Sequence, residues 1–163
     1  MLEMLPPATD GQRARSSAGP APPRGAPDLR VVQSLLEYLD WNPGRVDGRP
    51  GLHTRNAIAR FQRSHRAGAT GEADGELQAA LAAQAKRGFG RDSIADTRLV
   101  QRLLMIRGFN PGDIDGLVGP RTRAAIVAFV RAQGALPTDA VDAGILDTLL
   151  APYDNAAESG AGA

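Results

Sequence analysis

Two stretches of the chain gather side chains that could hold a polar ligand. The first runs from Trp41 to Arg55 and includes Asn42, Gly44, Asp47, Gly48 and Thr54. The second runs from Phe109 to Arg123 and includes Asn110, Gly112, Asp115, Gly116 and Thr122. Carboxylates and amides exchange hydrogen bonds with hydroxyls and amides, and a guanidinium grips a carboxylate through two parallel bonds. Each residue also has a plainer use. Asp47 and Asp115 can hold their own backbone in an Asx-type turn. Gly44, Gly48, Gly51 and their twins set turn conformation, and they could also let a ligand approach the backbone. Thr54 and Thr122 can cap or pack at helix starts, and Asn42 and Asn110 can form turns. Arg55 and Arg123 can lie on solvated helix faces. Trp41 and Phe109 can close a core, since each follows an apolar helix.

Bond-breaking chemistry finds less support. The chain has no cysteine and two histidines, His53 and His65, twelve residues apart. That spacing is not an i, i+4 ligand pair, and no cluster offers the three or four ligands of a zinc site. No nucleophile elbow or metal-ligand motif is present. A pair of catalytic carboxylates needs a cleft, for which two small bundles filled by their own cores leave little room. The expectation is a non-enzyme without metal or cofactor.

The elements that must position these residues come in duplicate. Shifting the chain by 68 residues aligns 30–81 with 98–149 without a gap. Asn42-Pro-Gly-Arg-Val-Asp-Gly48 meets Asn110-Pro-Gly-Asp-Ile-Asp-Gly116, and Gln33, Leu35 and Leu36 meet Gln101, Leu103 and Leu104. Repeats of this period are supersecondary units. Each unit shows three apolar stripes at helical spacing. Val32, Leu35, Leu36 and Leu39 form the first, with Asp28 as N-cap, and Asp96 takes that place in the second unit. Ala57, Ile58, Phe61 and His65 form the next, matched by Ala125, Ile126 and Phe129. A shorter helix capped by Asp74 or Asp142 buries Leu77 and Leu81, or Ile145, Leu146 and Leu149. No segment alternates with period two, so the fold class is all-α, two tandem three-helix bundles.

The expected divisions are a disordered Pro/Ala/Gly-rich tail over 1–27, a first unit over 28–85, a linker over 86–95, a second unit over 96–153 and a disordered tail over 154–163.

The pattern Val-Gln-x-Leu-Leu, then Asn-Pro-Gly-x-Val/Ile-Asp-Gly-x-x-Gly-x-x-Thr-x-x-Ala-Ile-x-x-Phe, resembles the peptidoglycan-binding module of bacterial and phage cell-wall hydrolases. The resemblance implies a three-helix bundle that recognises peptidoglycan, usually beside a separate catalytic domain. The loops named above would then contact sugar hydroxyls, N-acetyl groups, peptide amides and carboxylates, with Trp41 or Phe109 able to stack on a sugar. The copies depart from each other at Leu52 against Pro120, Pro50 against Val118, Trp41 against Phe109, and Gln62 against Val130. These changes make equal affinity of the copies unsafe to assume, while leaving the fold intact.

Charge bears on partners. Formal net charge is +1, and residues 28–85 carry seven Arg against seven Asp/Glu. Residues 92–153 carry six Arg against seven Asp/Glu. That balance argues against nucleic acid as a partner. No stretch is apolar enough to span a membrane, and the N-terminus lacks the basic and apolar regions of a secretory signal. The expected ligand is peptidoglycan, through its glycan strand or stem peptide, bound by a monomer. A separately encoded wall hydrolase or an assembly partner is a further expectation. The missing signal favours the alternative, a structural or adaptor part of a phage particle or secretion machine, or else a holin-like or leaderless release. Two units on a linker would raise avidity for one polymer unless the bundles pack rigidly.

Overall fold

The computed structural model describes residues 27–159, with side chains through residue 151. Six helices follow in order: α1 (Leu29–Tyr38), α2 (Leu52–Ser64), α3 (Gly75–Gly88), α4 (Ser93–Ile106), α5 (Pro120–Ala132) and α6 (Ala143–Ser159). No strand occurs among the described residues. The tail expected over residues 1–27 lies outside the described residues except for Pro27. Residues 154–159, expected as part of the C-terminal tail, continue α6, where Ala156, Ala157 and Glu158 favour helix.

Local chemistry explains most helix ends. Asp28 caps α1 by accepting from Arg30 N at 3.0 Å. Asp74 accepts from Leu77 N at 2.7 Å to start α3, and Asp142 accepts from Ile145 N at 2.9 Å near the start of α6. These carboxylates satisfy N–H groups that have no partner inside the helix. α5 begins on Pro120, whose missing N–H costs nothing at a first helical position. α1 closes with Trp41 N on Leu36 O at 2.8 Å and Asp40 N on Glu37 O at 3.0 Å, the paired bonds of a Schellman ending. α4 closes the same way, with Phe109 N on Leu104 O at 2.9 Å and Gly108 N on Met105 O at 3.0 Å.

One cap differs from expectation. α4 starts one turn before Asp96, because Asp92 accepts from Ile94 N at 3.0 Å and from Ala95 N at 3.2 Å. Asp96 is thereby inside the helix and buried. Its carboxylate accepts from the Tyr38 hydroxyl at 2.6 Å and from Gly90 N at 2.8 Å. The residue matching a cap in one unit holds the two units together in the other.

The units share one core. The most extensive helix packing is α3 on α6 and α1 on α4, both between units. α1 buries Val31 and Ser34 as well as Val32, Leu35 and Leu36, so it is covered on two sides. α3 buries Ala82 and Ala85 beyond Leu81. Alanines on that face let α6, with Leu149 and Leu150 fully buried, come close. Glu37 pairs with Arg102 at 2.9 Å and Lys86 with Asp147 at 3.1 Å across the same junction. Of residues 86–95, where a linker is expected, only 89–92 lie outside helix. The reason is the alanine-rich run, which extends α3 into the shared core instead of releasing the chain.

Candidate ligand-binding site

The two loops are built around a buried glutamine. In the first unit the Gln33 amide nitrogen donates to Asp47 Oδ1 at 3.3 Å, Arg49 O at 3.0 Å and Thr54 Oγ1 at 3.1 Å. Its carbonyl oxygen accepts from Asp47 N at 3.1 Å and Gly48 N at 2.8 Å. Thr54 Oγ1 in turn donates to Pro43 O at 2.9 Å. The second unit repeats the arrangement. Gln101 donates to Asp115 Oδ1 at 3.1 Å, Leu117 O at 3.0 Å and Thr122 Oγ1 at 3.1 Å, and accepts from Gly116 N at 3.0 Å. Thr122 Oγ1 donates to Pro111 O at 3.2 Å. A buried amide must find its partners, and here it finds them along one loop and fixes that loop's shape.

This frame sorts the residues expected to bind. Asp47 and Asp115 form Asx turns, accepting from Arg49 N and Leu117 N at 2.9 Å each. The Arg49 N–H, then the Gln33 amide, hold the Asp47 carboxyl below the usual carboxylate range. The Leu117 N–H, then Gln101, do the same for Asp115. Thr54 and Thr122 are buried inside the frame. Gly44, Gly48, Gly112 and Gly116 adopt positive φ. Gly51 and Gly119 do not, with φ of −71 and −85, and no atom lies close to where a side chain would go. Their conformational role is corrected accordingly.

Trp41 packs edge-on against Phe61 at 5.7 Å, and Phe109 against Phe129 at 5.5 Å. Both are half-buried against the core. Among the residues with described side chains, no Trp, Tyr or Phe ring is exposed. Asn42, Arg55, Asn110 and Arg123 remain exposed. The Asn110 side-chain oxygen is used by Gly112 N at 2.9 Å, while Asn42 sits in left-handed backbone at φ 50.

One concavity stands out. An open cleft of about 530 Å³ lies in the second unit, between the start of α4, the start of α5 and residues 139–143. Arg123 lies on its wall and pairs with Asp139 at 3.2 Å. Sequence reasoning reached Arg123 and missed Asp139 and the connection residues Phe89 and Gly90, which line the same cleft. The gapless alignment did hold one signal, since Gly71 stands in the first unit where Asp139 stands in the second. Among the described residues no three His, Asp or Glu side chains gather as a metal set. No helix there is long and apolar enough to cross a membrane.

The family model described as "Putative peptidoglycan binding domain" matches the chain twice, over residues 25–81 and 93–149. No curated protein and no solved structure matches the chain. The two matches fall on the two glutamine-framed units and together span well over half of the sequence. The chain therefore belongs to the peptidoglycan-binding domain family and carries its module twice.

Proposed function

We propose that the protein binds peptidoglycan without cleaving it and that both units face the polymer. The observation that carries this reading is the double family match, placed on loops held by the same buried frame. Of the residues expected to bind, the exposed side chains outside the glutamine frame are Asn42 with Arg55 and Asn110 with Arg123. An amide and a guanidinium suit stem-peptide amides and carboxylates. Trp41 and Phe109 are packed edge-on against core rings, which favours the polar groups over sugar stacking. The loop carboxylates, Asp47 and Asp115, already serve the turn, which speaks for a binder.

The test is co-sedimentation of the full chain with insoluble sacculi at low and moderate salt, with the supernatant assayed for released fragments. The expected outcome is retention at both salt levels and no soluble fragments. Failure to sediment with sacculi of several wall types overturns the reading, and release of fragments overturns its non-catalytic part.

A second reading, an assembly or adaptor role, draws on one observation. Ile94, Leu117 and Val118 are 49%, 63% and 36% exposed, and Ile94 lies against Gly116, next to the other two. Such apolar exposure suits a protein partner. Failed sedimentation would leave this reading standing.

A further inference from the structure

The units differ most in the loop after their second helix. In the first, Gln62 ties that loop down. Its amide nitrogen donates to Thr70 Oγ1 at 3.1 Å and to Glu72 O at 3.4 Å, and its oxygen accepts from Gly71 N at 2.9 Å. Gly71 then lies so near Arg55 that a Cβ on it would stand 3.1 Å from the Arg55 carbonyl oxygen. In the second unit Val130 replaces Gln62 and Asp139 replaces Gly71. Valine cannot tether a backbone. The loop carries instead a carboxylate that meets Arg123 at the cleft, with the two side chains 58% and 54% exposed.

We propose that this cleft is the subsite for a free α-amino-acid end, one carbon bearing both an ammonium and a carboxylate. The side chain of a diaminopimelate residue in a stem peptide presents such an end. The proposal rests on the peptidoglycan reading and names the part of the polymer recognised. Among the described residues Arg123 is the one cation on the cleft wall, beside Asp139, Asp142 and Asp96. Asp96 is taken by Tyr38 and Gly90, and Asp142 by the start of α6. That leaves Arg123 and Asp139 as an adjacent plus and minus.

An exposed pair of this kind is held only weakly, so it opens readily. A ligand carboxylate takes Arg123 while its ammonium takes Asp139, and both charges stay satisfied. A neutral sugar gains nothing from the pair. A purely anionic peptide meets an acidic rim, and a lone ammonium leaves Arg123 unmatched. Phe89, Val118 and Val141 supply apolar wall for the methylene chain. Phe89 comes from the connection between units, and in the first unit Pro50 and Gly71 stand in place of Val118 and Asp139. The site is therefore single and belongs to the second unit.

The test is calorimetric titration of the full chain with two uncross-linked disaccharide tripeptides, one carrying diaminopimelate and one carrying lysine. The diaminopimelate form is expected to bind at least about tenfold tighter, the worth of one charge-assisted bond. Arg123→Ala should lower it to the lysine level, Asp139→Asn should weaken both, and Arg131→Ala, exposed on the same helix and outside the cleft, should change neither. Equal affinities, or an Arg123→Ala variant that binds like the parent, would overturn the cleft assignment. So would sacculi that sediment with the chain while neither fragment binds, and in these cases the peptidoglycan reading survives. If neither fragments nor sacculi bind, both fall.

Discussion

Asp40 and Arg66 follow the ends of α1 and α2 in left-handed backbone, at φ 66 and 58, where Gly108 and Gly134 stand in the second unit at φ 90 and 71. An L-residue pays roughly 1–2 kcal/mol for that conformation, and glycine returns part of it through unfolded-chain entropy. Arg66→Gly is thus expected to raise stability by roughly 0.5–1 kcal/mol in urea denaturation. Asp40→Gly should gain less, because a short polar side chain tolerates the left-handed region. No gain from Arg66→Gly would mean that its contacts outweigh the strain.

The same scale sets the acid limit. Asp47 and Asp115 have carboxyls held below their ordinary value by loop N–H groups and glutamine amides. Their contribution is present above the unfolded value of about 4 and is lost as pH falls through the lower folded value. The Asp47→Asn, Asp115→Asn double variant should show a shallower loss of melting temperature below about pH 4. These turns were legible in the sequence, because Asp-Gly is a local signal. The glutamine behind them was visible only as a matching pair, since its partners lie 14 to 21 residues away, beyond any local rule.

At the scale of elements, the loops depend on α1 and α4 through Gln33 and Gln101. Gln33→Ala strands the N–H of Gly48 and the Asp47 and Thr54 groups it served, and an expected cost of roughly 2–4 kcal/mol follows from several unsatisfied buried groups. Circular dichroism during chemical denaturation reads it, and a loss under about 1 kcal/mol would mean water replaces the amide. Gly116 is the less forgiving turn position. A Cβ there would sit 2.6 Å from Ile94 Cγ2 and 2.9 Å from its carbonyl oxygen, at φ 84. Gly116→Ala should cost roughly 2 kcal/mol or more, whereas Gly119→Ala, at ordinary φ with open space around it, should cost little. The six helices were readable from apolar period and caps. The start of α4 was not, because Asp92 and Asp96 are equally good caps on sequence and only contact with Tyr38 and Gly90 assigns Asp96 elsewhere.

For the whole molecule, the shared core decides behaviour. Val31, Ala82, Ala85 and Leu150 are fully buried, and the most extensive helix packing crosses between units. Calorimetry of the full chain is expected to show one transition with equal calorimetric and van't Hoff enthalpies. Two resolved transitions would contradict the single core. This union was faintly legible, in the extra Val31 and the alanine run after Leu81, but a repeat in sequence is silent on how its copies meet. α1 packs on α4 and α3 on α6, so each unit meets its twin through the same pair of helices. Two loops carried on one shared core cannot move apart as they would on a free linker. Under the proposed function the fold itself then sets the spacing between the two points of contact on the wall, as the fixed gap between the tines of a fork sets where both can enter.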